Sequence, residues 1–219
     1  MRTRTSTSVL SVAVVLASWT AIWAVTSGLP PRVEPRIHDE IGLALAREAV
    51  RLLGPGGSVT VLARDTSTFK QPAIDIALGS FTRELKKNGG KDPVVQALQV
   101  DPLRPLQVPA GDLHELLRHG AVGDVVVSFM GAPLLSDEQR ASLGAVKPKV
   151  VAFCPGGIFG TQELKALGGQ GLLHAAVVSR PAKAGTTLVP DAGREPFDAL
   201  YERLDLAALA GPAIPGTAR

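Results

Sequence analysis

Cys154, the single cysteine of the 219-residue chain, ends the apolar run of VVAFCPGGIFG and stands before a glycine-rich bend. A cysteine between a strand and a helix is the arrangement of a nucleophile elbow. There the thiolate attacks a carbonyl and the next backbone N–H stabilises the oxyanion. The next residue here is Pro155, which has no N–H. Proline also pushes the residue before it toward extended geometry, away from a strained elbow. A phosphatase-type cysteine needs an arginine at the far end of its loop, and that position is Gly160. His174 is a candidate base, but LLHAAVV places it inside a strand, away from the carboxyl end. His38, His114, His119 and His174 form no H-x-x-x-H or H-E-x-x-H pair, and one cysteine excludes a disulfide within the chain and a cysteine metal cluster. No metal and no cofactor is expected. Asp65-Thr66-Ser67-Thr68 offers hydroxyls, yet Ser67 lacks a G-x-S-x-G frame. GPGG at Gly54 to Gly57 precedes a strand instead of following one, so it is a turn and not a phosphate loop.

The elements that must position these residues alternate. RIHDEIGLALAREAVRLLG carries Ile41, Leu45, Ala49 and Leu52 on one side, a helical spacing. GSVTVLARD is a β-branched strand, and FKQPAIDIALGSFTRELKKNGG is a second helix with Ile74, Leu78, Phe81 and Leu85 as its stripe. PVVQALQVD, GDVVVSFMG, KVVAFCPGG and GLLHAAVVSRP read as four more strands. PAGDLHELLRHG, SDEQRASLG and TQELKALGG are the helices between them, with Ser136 as a predicted N-cap. EPFDALYERLDLAALAG reads as a last helix. Such alternation predicts a three-layer, doubly wound α/β domain on a mostly parallel five-stranded sheet, preceded by an N-terminal apolar helix.

That N-terminal segment sets an address. Arg2 and Arg4 precede an apolar stretch from Val9 to Val25, and no charge falls between Ser6 and Pro31. Trp19 and Trp23 lie toward its outer end, where interfacial indoles are favoured. The stretch reads as a signal anchor or a cleaved signal peptide over residues 1–28, with Val25 and Ser27 as small residues before Gly28. A Pro-rich spacer follows at 29–36, then the α/β domain at 37–210 and a disordered tail at 211–219. The expected location is the bacterial cell envelope, the domain either anchored to the inner membrane on the periplasmic side or exported. A net charge of +3 and an aromatic content of 4% leave little with which to hold a polyanion or stack on bases, so no nucleic acid is expected.

From Ile41 to Pro181 the order of elements resembles the C-terminal lobe of type I periplasmic binding proteins, the ribose-binding and LacI-like group. LALAREAVRLLGPGGSVTVLARD is similar to that family's helix, turn and first strand, GSFTRELKKNG to a helix end with Phe81 as its aromatic residue, and LLHAAVVSRPAKAG to its last parallel strand. KVVAFCPGG is similar to the strand that delivers an aspartate to the ligand, and Cys154 stands where that aspartate would be. Phe129 and Met130 replace an Asn-Asp pair after the third strand, and the arginine early in the second helix has no counterpart, Asp75 lying nearby. The resemblance implies a binding lobe without catalysis. The departures remove the groups that would hydrogen-bond sugar hydroxyls.

Ligands of an open parallel sheet bind beyond the carboxyl ends of its strands. The candidate rim is Asp65, Thr66 and Thr68, with Asp101, Ser128, Cys154, Gly156 and Gly157. The N–H groups of Gly156 and Gly157 suit an anion or carboxylate, or the glycines merely permit a tight turn. The expected function is an extracytoplasmic, membrane-anchored, solute-binding-like domain. Its partner is a small polar ligand, an envelope protein or a second copy. The alternatives are a Cys-dependent hydrolase or amidotransferase-like enzyme, and a purely structural envelope protein.

Overall fold

A computed structural model describes residues 17–20, 23, 34–67, 70–100, 108–144, 147–180 and 196–209. By contacts the chain divides into a unit Met1–Glu34 and a unit Pro35–Arg219. In the first, residues 17–20 and 23 are helical, with Trp19 and Trp23 exposed. Most of the apolar stretch from Val9 to Val25 lies outside the described residues, as do the tail and most of the spacer. Among the described residues no helix is long and apolar enough to cross a membrane.

The second unit runs α1 (Pro35–Leu52), β1 (Val59–Arg64), α2 (Pro72–Lys87), β2 (Val94–Leu98), α3 (Ala110–His119), β3 (Val125–Ser128) and α4 (Asp137–Ser142). It continues with β4 (Lys149–Cys154), α5 (Thr161–Gly169), β5 (Ala175–Ser179), α6 (Pro196–Leu200) and β6 (Tyr201–Asp205). The sheet has six strands in the order β2-β1-β3-β4-β5-β6, with β6 antiparallel to β5 and the others parallel. Because the winding reverses after β2, a switch point lies between β1 and β3.

Both faces of the central strands are covered, which is why their sequences read as unbroken apolar runs. Val61, Val127, Val151 and Val177 pack with Leu45 and Ala49 of α1 and Phe81 of α2. Leu62, Val126, Ala152 and Val178 face the other way, onto Leu113 and Leu117 of α3 and Leu164 of α5. The α1–α2 pair is tied at its edge by Ser80, which is 1% exposed, donates to Asp39 and accepts from Arg83 at 2.8 Å. Ser136 caps α4, accepting from Gln139 N–H at 3.2 Å while the Gln139 side chain accepts from Ser136 N–H at 3.0 Å. The turn at Gly54 closes with Gly57 N–H donating to Gly54 C=O at 3.0 Å.

One expected element is corrected. The single helix read from Glu195 to Gly211 is a short helix, then strand β6, then a 3-10 turn at Ala207–Leu209. The open edge of β5 is the reason. Pairing Ser179 with Tyr201 through Ala175 with Asp205 satisfies a row of backbone groups that a helix would leave bare. Tyr201 also gains Phe153 and Phe197, at ring-centroid distances of 5.7 and 5.6 Å. The sheet therefore has a sixth strand beyond the five expected.

His174 sits just before β5, at the amino end of the sheet. Its backbone N–H donates to Val150 C=O at 2.8 Å, and its ring Nδ1 accepts from Val150 N–H at 3.1 Å. Burial, with Lys149 and Lys147 nearby, pushes its pKa from 6.5 down to about 4. The unfolded chain therefore binds the proton first on acidification, and stability falls as pH drops from about 6.5 toward about 4. Allowing for partial exposure, the loss is on the order of 2 kcal/mol. A His174→Gln variant should lack this part of the pH dependence, as read from urea midpoints at pH 7.5 and 4.5.

Candidate functional site

The carboxyl ends of the parallel strands are the rim that the sequence points to. After β1 the chain turns at once: Asp65 N–H donates to Leu98 C=O at 2.8 Å, so β2 anchors the start of the loop. The Asp65 carboxylate accepts Ser67 N–H at 2.8 Å. That bond, with those from the Ser67 hydroxyl and Gln99, holds its pKa below the usual carboxylate range. Thr66 donates its hydroxyl to Asp75 at 3.2 Å. Asp75 is exposed on the first turn of α2. Asp65, Thr66 and Asp75 thus form one anionic, hydroxyl-bearing corner at the β1 side of the switch point. Thr68 and Asp101 lie outside the described residues.

The β3 and β4 positions face inward instead. Ser128 is 2% exposed; its hydroxyl donates to Gly131 C=O at 2.7 Å and accepts Met130 N–H at 3.1 Å. Both capacities are spent on shaping the loop. Phe129 and Met130 are buried on opposite sides of the sheet, Phe129 edge-on to Phe81 at 5.8 Å.

Cys154 is 3% exposed among Ala152, Leu164 and Val178. Burial drives its thiol pKa up to about 12, against a weak opposing hydrogen bond from the Ala132 backbone. A thiol held neutral at pH 7 is neither nucleophile nor ligand. Iodoacetamide at pH 7.5 should alkylate native Cys154 at least about tenfold more slowly than free cysteine, with the rate restored in urea.

Pro155–Gly157 form a 3-10 turn in which Gly156 and Gly157 adopt φ of 77° and 66°. These are left-handed angles that other residues adopt only with strain. Gly156 N–H is taken by the Ser179 hydroxyl at 3.0 Å. The sequence reading missed Ser179; its one signal was its place as the last residue of the fifth parallel strand. Two surface hollows, of about 330 and 550 Å³, open toward the amino ends of the strands and are lined by none of these rim residues.

No family model matches the sequence, and no curated protein does. Among solved structures the chain is similar to a glucose-galactose binding protein from Geobacillus stearothermophilus, with a TM-score of 0.39 and 12% identity over 64% of this chain and 47% of that one. It is also similar to a periplasmic ribose ABC transporter from Conexibacter woesei DSM 14684, with a TM-score of 0.42 and 15% identity over 64% and 45%. For an arabinose binding protein from Geobacillus stearothermophilus the values are 0.49 and 16%, over 78% and 62%. The chain therefore spans 47% and 45% of the length of the first two of these proteins.

Proposed function

We propose that the α/β unit is a non-catalytic, solute-binding-like domain of the bacterial cell envelope, held at the membrane by its N-terminal apolar segment. It contacts a small polar ligand, or an envelope partner, at the β1 side of the carboxyl rim. The observation that carries this reading is the corner of Asp65, Thr66 and Asp75 beside the switch point, where doubly wound sheets receive ligands. Two carboxylates and a hydroxyl suit hydroxyl or ammonium donors better than anions. A non-catalytic role is supported by the buried, neutral Cys154 thiol and by the missing N–H at Pro155.

A single rim holds a ligand from one side, so the reading favours a shallow site. Thermal unfolding of the full chain with monosaccharides, nucleosides and amino acids in excess tests it. One class should raise Tm by at least about 2 °C, and an Asp65→Asn, Asp75→Asn double variant should lose the shift while melting normally without ligand. No shift across the whole panel would sink small-molecule binding and favour an envelope partner or a structural role.

A further inference from the structure

The two edges of the sheet are built differently. The β6 edge carries Glu202, Arg203 and Asp205, with Arg180 and Arg51 paired to the two acids at 3.5 and 3.2 Å. Charge of this kind keeps foreign strands away. The β2 edge has no charge from Pro93 to Val100. Val94 and Val95, whose side chains point to opposite faces, are 63% and 44% exposed. Bonding parity shows what the edge offers. Asp65 N–H donates to Leu98 C=O, and in a parallel ladder both backbone groups of a residue point the same way. Val94, Gln96 and Leu98 therefore spend their groups on β1. The N–H and C=O of Val95 and Ala97 point outward, and no strand among the described residues pairs with them.

A hollow of about 330 Å³ lies on the α3 side of this edge. Thr60 and Gln96 lie at its sheet side, and Asp112, Glu115 and His119 line it from one face of α3. Asp124 adds a third carboxylate. Burial works against that charge, but N–H groups of Ser58 and Ala121 and the Ser58 hydroxyl hold its pKa low. The one basic group lining the hollow, His119, is already set against Glu115 at 3.0 Å.

From the open ladder edge and the acidic wall beside it, we infer that β2 is a docking edge for an extended, basic segment of another protein, which adds as a seventh strand. Alternate side chains of such a strand fall beside Val94 and Gln96, facing the carboxylates of α3. Lysine or arginine fits there. The intervening side chains fall beside Val95 and Ala97 on the other face, where apolar residues fit. Backbone bonding supplies the affinity and the carboxylates select the charge. This surface is separate from the carboxyl rim, so it stands or falls apart from the ligand reading.

The test uses the full chain and an end-blocked peptide of alternating arginine and valine, about seven residues long, the length of an ordinary strand. The control carries glutamate in place of arginine. The arginine peptide should slow hydrogen exchange of the Val95 and Ala97 amides at least about tenfold, more weakly as salt is raised. The glutamate peptide should not. Glu115→Lys with Asp112→Lys should weaken binding at least about fivefold, while the Gln96 and Leu98 amides exchange as before, showing β2 intact. Equal binding of both peptides, or no slowing by either, would overturn the inference. So would sedimentation showing a dimer whose Val95 and Ala97 amides are already protected, since the edge would then belong to a second copy.

Discussion

Gly42→Ala should destabilise the α/β unit by about 3 kcal/mol or more, read as a lower urea midpoint at unchanged slope. Gly42 lies inside α1, where alanine would ordinarily gain about 1 kcal/mol in helix propensity. Packing reverses the sign. A Cβ on Gly42 would sit 2.1 Å from the Ala77 carbonyl oxygen and 3.0 Å from Phe81 N, both backbone atoms of α2. Backbone cannot swing aside as a side chain can, so the helices must part and the layer over Leu45, Phe81 and Val127 loosens. Gly79 is the control. It lies in α2 but is exposed, with nothing within 4 Å of its would-be Cβ. Gly79→Ala should therefore raise stability by about 1 kcal/mol. A Gly42→Ala protein as stable as the parent would mean that α1 and α2 do not meet at this point. The same contact bears on the rim, since α2 carries Asp75 to it.

Cys154→Asp should cost about 3 kcal/mol or more at pH 7. The substitution introduces the acidic residue type that the sequence resemblance leads one to expect at this position. In this chain it would place a carboxylate among Ala152, Leu164 and Val178, with the Ala132 backbone as the donor at hand. Burial raises the folded-state pKa of such a carboxyl above its unfolded value of about 3.9. The folded protein then holds the proton longer, so the part of the cost due to ionisation is absent below about pH 4 and grows as pH rises toward the folded pKa, leaving at low pH only the smaller cost of burying a neutral carboxyl. Urea unfolding of variant and parent at pH 7 and pH 4 checks the sign. Cys154→Ala, which leaves only a small void, should cost about 1 kcal/mol at both. An aspartate tolerated at pH 7 would show that the β4 end opens to water, and would reinstate it as part of a polar site.

Much of the candidate site was legible because a strand's carboxyl end can be placed from its bounding turns. Asp65, Ser128 and Cys154 all fall at such ends. Their orientations were not legible. A half-exposed strand announces its faces by alternation, but VVVSFM and VVAFC are apolar on both sides because helices cover both. Nothing in the letters says which layer of helices the face shared by Val150, Ala152 and Cys154 packs against, or that Ser128 folds back on Gly131. Asp75 came to the rim through the packing of α2, and its bond from Thr66 ties the β1–α2 loop to the first turn of that helix.

Local chemistry by itself determined the alternation of strands and helices, the breaks at glycine and proline, and the failure of Cys154 as an elbow, since Pro155 carries no N–H in any fold. Tertiary structure alone decided that YERLD is a strand. Those residues suit a helix in isolation, and the unpaired edge of β5 outweighs that preference. Tertiary structure also left Val95 and Ala97 with their backbone groups turned outward. Which backbone groups find partners depends on which strands become neighbours, and that is a property of the assembled sheet, which no stretch of the chain carries alone.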